Sequence, residues 1–382
     1  MAKEQINKIV NRRQLARRER EQHTQRMLVW ITAGVLAVIL LIIGYGVVTE
    51  LLIKARRPVA QVGTVTVTTK DYQNRLRYER KMRNYELMQY QMYLSQIDTT
   101  DETMAYFTQQ LQYQISNLQS QLSPDMAETF GKQVLDRMIE EELVRQESQV
   151  RGITLDQDTI ERELELTIGY DRDATPAPTS EVVTETTEQQ PMTDAEYKQA
   201  YRNFKTNILA PSQLQEAEYR NIIAVGLLQE KLLTVLAQDV ISTAEQIQVT
   251  LLVTDTEVGA QTLRDQINEG ANVVSMTNDL NADASDVSYG YELPWVPAGY
   301  LSEQLSAEIE SVAFNTPLGK ASDPISQTIG GFYVVYVQGH EVRELSESFF
   351  EDARQAKYDE WLEQQKAAIV EYLNWEEAVL TD

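Results

Sequence analysis

The feature that most constrains this chain is an uninterrupted apolar run near its start: residues 27–49, MLVWITAGVLAVILLIIGYGVVT, contain no charged side chain. At about 1.5 Å of rise per residue, a helix of that length crosses a hydrocarbon core roughly 30 Å thick. The chain is therefore expected to divide into a short part and a long part on opposite sides of a bilayer. Residues 1–26 hold eight Lys or Arg against three acids, and such residues are retained on the cytoplasmic side. They read as a basic cytoplasmic tail. No A-x-A-like cleavage site follows the run, so residues 27–53 read as an uncleaved transmembrane signal anchor. Lys54, Arg56 and Arg57 follow it, but a long domain translocates largely regardless of charge. The expected product is a single-pass protein of a cell membrane with its bulk extracytoplasmic.

Charge and composition narrow the chemistry of that bulk. The whole chain has formal charge -24; the tail contributes +5, so the remainder carries about -29. An acidic body repels phosphate backbones, which argues against nucleic acid as a partner. There is no cysteine, so disulfides and thiolate metal sites are excluded. His23 and His340 are the two histidines, leaving one imidazole beyond the anchor, too few for a His-rich zinc site and only His340 as the base of any Ser-His-Asp arrangement. Asp279, Asp283 and Asp286 are spaced somewhat like a calcium loop but lack its central Gly and terminal bidentate Glu. No metal and no cofactor is expected.

About 330 residues beyond the anchor suffice for two domains. After the anchor, VAQVGTVTVTTKDYQNRL reads as a brief β-hairpin followed by a helix starting near Thr69 or Asp71. From Tyr72 to Leu122 the pattern is helical: Met82, Tyr85, Met88 and Met92 share one face, as do Phe107, Leu111, Ile115, Leu118 and Leu122, with IDTTDET as the turn. The Tyr and Met residues of this stretch suit either an adaptable surface for unfolded chains or plain helix-on-helix packing. Residues 130–151 form an amphipathic helix through Leu135, Met138, Ile139 and Leu143, closed by Gly152. Residues 171–192 mix Pro, Thr and acids with little to bury and read as a flexible segment. Helices resume at Thr193 and run to about Val240.

From Ile247 the pattern changes. QVTLLVT reads as a buried strand, TEVGAQTLRDQINEG as a helix ending at Gly270, and GGFYVVYVQGHEV as a final strand, making residues 247–342 a compact α/β region. Residues 343–382 then form a helix whose Trp361, Leu362, Ile369, Tyr372 and Leu373 need a surface to bury against.

The order of these parts resembles the extracytoplasmic parvulin-type peptidyl-prolyl isomerase and chaperone family, the PrsA- and SurA-like foldases. VAQVGTVTVTTKDYQNRL resembles that family's N-terminal hairpin and helix, and QVLDRMIEEELVRQESQVRGI its second-helix pattern. LPWVPAGYL is similar to the glycine-tryptophan segment before its binding helix, and SDPISQTIGGFYVVYVQGHE to the parvulin terminal hairpin. ARQAKYDEWLEQQKAAIVEYLNW resembles the last helix, which returns to complete the chaperone domain. The resemblance implies an α+β protein: a mostly helical chaperone domain over residues 54–246, an inserted parvulin-like domain over 247–342, and the helix of 343–382 closing the first. It implies unfolded or nascent exported polypeptides as partners, beside the bilayer and a possible homodimer or membrane complex.

The chain departs from the family at the catalytic positions. Where typical parvulins carry a histidine in the first and last strands, facing each other beneath the bound proline, this sequence has Thr250 and Tyr333. Isomerising an X-Pro bond requires no nucleophile, only an apolar pocket and polar groups that favour the twisted amide. Two hydroxyls could supply such a network, and a Thr and a Tyr are equally ordinary sheet residues. The matching pocket would be Leu301, Leu305, Ile309, Phe314 and Phe332, residue types that also simply fill cores. Three classes of function follow: an active prolyl isomerase, a chaperone without catalysis, and a non-catalytic structural or assembly subunit that reuses the fold.

Overall fold

The computed structural model describes residues 27, 30, 32–42, 53–97, 104–174, 191–282, 288–327 and 331–380. Met27, Trp30 and residues 32–42 are helical and exposed; the rest of the expected membrane span lies outside the described residues. Among the described residues no helix is both long and apolar enough to cross a membrane. The Pro/Thr segment also falls mostly outside them.

The chain divides into two units, one built from residues 1–229 and 364–382 and the other from 230–363. The first unit is therefore discontinuous in sequence. Its divisions from the second fall inside two helices, between residues 229 and 230 and between 363 and 364.

In the first unit, β1 (Pro58–Val62) and β2 (Val65–Thr68) form an antiparallel hairpin. Gly63, at φ +60°, makes its turn, a conformation that costs residues with a Cβ. Helix α1 (Thr69–Gln96) starts where the Thr68 hydroxyl accepts the Asp71 amide, and α2 (Ala105–Gln121) follows. Helix α3 (Ala127–Val150) buries Val134, Leu135, Ile139 and Leu143, the face that the 3.6-residue period marks, and ends before Gly152 at φ +68°. Helices α4 (Gln157–Ile168) and α5 (Asp194–Phe204) come next, then α6 (Glu216–Leu236). Tyr78, Leu164, Leu209, Leu214, Tyr219 and Ile223 form their shared core.

A buried ion network ties α1 to α3. Arg75 donates from Nε to Glu79 at 2.8 Å and from its terminal nitrogens to both oxygens of Glu141 at 3.0 and 2.6 Å, while Glu79 also accepts from Arg137 at 3.1 Å.

The chain's last segment returns to this unit in a way the helical pattern does not anticipate. Val370–Tyr372 leaves the helix and becomes strand β7, pairing antiparallel with β1 so that Ala60 faces Tyr372; the sheet order is β2-β1-β7. The Tyr372 hydroxyl donates to Asp136 at 2.7 Å, and the Lys132 ammonium lies 4.2 Å above its ring. Farther on, Gln73 and Arg80 donate to the carbonyls of Ala378 and Leu380.

The second unit is an antiparallel sheet of order β4-β3-β6-β5. Its strands are β3 (Thr243–Thr254), β4 (Tyr289–Pro297), β5 (Ile325–Gln327) and β6 (Gly331–Glu344). β3 is central, and its near-continuous apolar run reflects burial on both faces. Ile247, Val249, Leu251 and Val253 meet Val335 and Val337 with Leu301 and Ile309 on one face. Leu252 and Val334 meet Ala260, Ile267 and Val273 on the other. Helices α7 (Glu257–Asn268) and α8 (Val273–Ala282) cover the second face, and α9 (Tyr300–Gln304) and α10 (Ala307–Asn315) the first. Helix α11 (Glu347–Ile369) leads out. The motif LPWVPAGYL begins inside edge strand β4; its two prolines sit where a strand has no partner on one side.

Candidate functional site

Thr250 and Tyr333 lie on neighbouring central strands, but the sheet separates their side chains. In β3 and β6 the register pairs Val253 with Tyr333 and Thr250 with Tyr336. Tyr333 belongs to the same cluster as Val253, Leu301 and Ile309, whereas Tyr336, opposite Thr250, packs with Leu252 and Val334. Thr250 and Tyr333 therefore occupy opposite faces, an odd offset across an antiparallel pair whose side chains alternate with period two. The expectation that they face each other over one substrate is corrected by this register.

Each hydroxyl is already engaged on its own side. Thr250 is 3 % exposed and donates to Gln338 Oε1 at 3.2 Å. Tyr333 is 6 % exposed; burial first, and then a hydrogen bond with the Tyr289 side chain, raise its phenol above the ordinary range. Tyr289 and Tyr291 stack beside it with centroids 6.0 Å apart.

The pocket residues divide in the same way. Leu301 and Ile309 are fully buried in the face covered by α9 and α10, with Leu305 and Phe314 packed against them. Phe332 packs on the opposite face. Four of the five come together with Tyr333; Phe332 and Thr250 do not. The segment before α9 is held by Glu310, whose carboxylate accepts the amides of Gly299 and Ser302 at 2.9 Å. His340, the imidazole beyond the anchor, pairs with Glu245 at 2.8 Å and meets Phe314 edge-on. Its ring is engaged across β3 and β6 rather than beside Tyr333. Asp279 lies in α8, and Asp283 and Asp286 lie outside the described residues. Among the described residues no group of His, Cys, Asp and Glu could hold a metal ion.

The first unit carries two further features. On α1 and α2, Tyr85, Met88, Met92, Tyr93, Tyr106 and Tyr113 are exposed, from 45 % for Met92 to 78 % for Tyr106. A helix face committed to packing would bury such side chains. The second feature is a groove of about 730 Å³ whose lining includes Lys54, Arg57, Lys70, Arg77, Asn74 and Glu377. Sequence reading misses it because its cations lie on the anchor-proximal turn and across two turns of α1. The one local signal is the hairpin, which brings Arg57 to Thr69: the Thr69 amide donates to the Arg57 carbonyl at 2.8 Å.

No protein-family model matches the chain, and no curated protein does. Solved structures do match. The peptidylprolyl isomerase PrsA of Bacillus anthracis is 15 % identical, with 61 % of this chain and 95 % of that one covered and a TM-score of 0.31. PrsA of Bacillus cereus is 14 % identical over 69 % and 84 %, with a TM-score of 0.34. A Campylobacter jejuni structure, from a study of PEB4 and Cj1289 as SurA-like chaperones, is 14 % identical over 64 % and 88 %, with a TM-score of 0.20. These are what the chain is similar to.

Proposed function

We propose that the chain is a membrane-anchored, extracytoplasmic chaperone that holds unfolded segments of exported proteins, and that its parvulin-like unit serves as a structural or binding module without prolyl isomerase activity. The observation that carries this reading is the exposed Tyr and Met band on α1 and α2. Met packs irregular shapes and Tyr offers apolar area with a polar tip, a combination suited to many client sequences. The uncharged run of residues 27–49 and the basic tail ahead of it support the anchor and its orientation. The separation of Thr250 from Tyr333 by the sheet supports the loss of catalysis, since stabilising a twisted amide needs its polar groups on one side of the substrate.

The test uses the full chain in phosphatidylcholine nanodiscs with a chemically unfolded model protein, whose aggregation is followed by light scattering. Replacing Tyr85, Met88, Met92 and Tyr93 together by Gln keeps helix propensity. It should raise the amount of chain needed for half-suppression at least fivefold with unchanged circular dichroism. Equal suppression by wild type and variant would overturn the client-holding reading in favour of a structural subunit. In a protease-coupled assay on an X-Pro peptide, the wild type should show no rate above background. A rate that Tyr333→Phe abolishes would restore the isomerase.

A further inference from the structure

The 730 Å³ groove of the first unit is unusual for this chain because of its charge. Its lining carries four cations, Lys54, Arg57, Lys70 and Arg77, against the single carboxylate of Glu377, with Gln73, Asn74, Gln213 and Asn374 as neutral polar groups. The whole chain has 58 acids to 34 Lys and Arg, so a random patch should be negative. Several basic side chains elsewhere in the same unit are matched to acids, as with Arg83 and Glu86, Lys132 and Asp136, Arg151 and Glu147, and Arg220 and Glu161, while Arg202 donates to Gln199. Among the described residues, Arg57, Lys70 and Arg77 form no ion pair, and Arg77 donates instead to the amide oxygen of Asn74 at 3.0 Å. Asn74 is itself 2 % exposed, which fixes that contact.

Unpaired like charges gathered in one concavity repel each other and raise the local potential. An anion that fills the groove removes that cost. Guanidinium groups present paired N–H donors matched to the oxygens of phosphate, while a lysine adds a compact charge. Nucleic acid is a poor occupant, because the acidic remainder of the body would repel an extended polyanion. We propose that this groove binds a single phosphate group, carried either by an anionic lipid headgroup or by soluble phosphate. The lining begins at Lys54, a few residues beyond the apolar run that ends at Thr49. In an anchored chain a spacing of so few residues leaves the groove within reach of lipid headgroups. The binding itself stands independently of the chaperone reading.

The test is isothermal titration of the full chain in nonionic maltoside micelles, which carry no phosphate. The titrants are short-chain phosphatidylglycerol, inorganic phosphate, and sodium acetate at matched ionic strength. Arg57 and Lys70 are exposed, so Arg57→Gln/Lys70→Gln should keep the wild-type melting curve and weaken phosphate-group binding at least tenfold. Headgroup binding without phosphate binding assigns the site to lipid; binding of both assigns it to phosphate in general. Absence of binding by either, equal binding by wild type and the double variant, or acetate binding as tightly as phosphate would each overturn the proposal. Retained aggregation suppression by the double variant would show that the groove and the client surface are separate.

Discussion

Replacing Arg75 by Ala should destabilise the first unit far more than the loss of any surface ion pair. The Arg75 side chain is 6 % exposed and holds Glu79 and Glu141, whose side chains are 10 % and 18 % exposed. Alanine removes three charge-assisted hydrogen bonds. Glu79 keeps Arg137 at 3.1 Å, whereas Glu141 loses its bidentate partner in a site with little water. Removing one member of a buried pair costs about 3–5 kcal/mol, because the other charge is left desolvated. For a unit of this size each kcal/mol moves the melting temperature by about 2–4 °C, so the expected fall is about 6–20 °C. Lys198→Ala is the control, since its pair with Asp194 is 61 % exposed on both sides and is worth about 0–1 kcal/mol. Thermal circular dichroism of the full chain in maltoside micelles reads the shift, and hydrogen exchange should place lost protection on α1 and α3. Arg75→Met combined with Glu141→Leu should recover at least half of it, because both charges leave together. If Arg75→Ala melts within about 2 °C of Lys198→Ala, the network carries no stability and the reasoning fails.

Two further outcomes bear on other parts of the fold. The Tyr201 hydroxyl donates to Glu216 at 2.9 Å, and that bond, aided by Lys205 and Arg220, holds the Glu216 carboxyl below the usual range. A depressed folded pKa contributes stability that is present above the unfolded value of about 4.3 and is lost as pH falls through the folded one. Glu216→Gln should flatten the acid limb of a melting-temperature profile, and superimposable limbs would contradict the assignment. In the second unit, Gly331 has φ +89°, and an added Cβ would sit 2.2 Å from the Thr254 carbonyl oxygen. Gly331→Ala should cost about 2–3 kcal/mol through strain and collision and loosen exchange at β5 and β6 while α1 and α3 stay protected. A loss below about 1 kcal/mol would mean that the strand ends reposition freely.

Periodicity made the helices and the buried strands readable because burial imposes it directly. The face of α3 through Leu135, Ile139 and Leu143, the run of β3 and the closing strand β6 all announce themselves in this way. What the pattern could not carry was anything set by partners distant in sequence. β7 is three residues long and continues a helical stretch, so only its pairing with β1 distinguishes it. β4 contains two prolines that look like loop until an edge position is known. Thr250 and Tyr333 are another such case: a motif places each on its strand, but the face each occupies depends on the inter-strand register that pairs Val253 with Tyr333 and Thr250 with Tyr336. Phe332 lies on the face opposite Tyr333 for the same reason, since neighbouring strand residues point to opposite sides.

The pairing of Ala60 with Tyr372 also sets a timetable for synthesis. A chain made from its N-terminus exposes the open edge of β1 until residues 370–372 have emerged, while the second unit, contiguous in sequence, has every strand it needs beforehand. The loop between the paired strands has a folded body of its own, so closing it costs less entropy than joining the ends of a loose chain of the same length. Until β7 arrives, Val59 and Ala60, both buried in the finished sheet, lack their last neighbour, and the unpaired edge is a template for wrong strands. Copies that stop after the second unit but before β7 would therefore hold a complete second unit and an unsealed first one, leaving the hairpin edge as the place where such products associate.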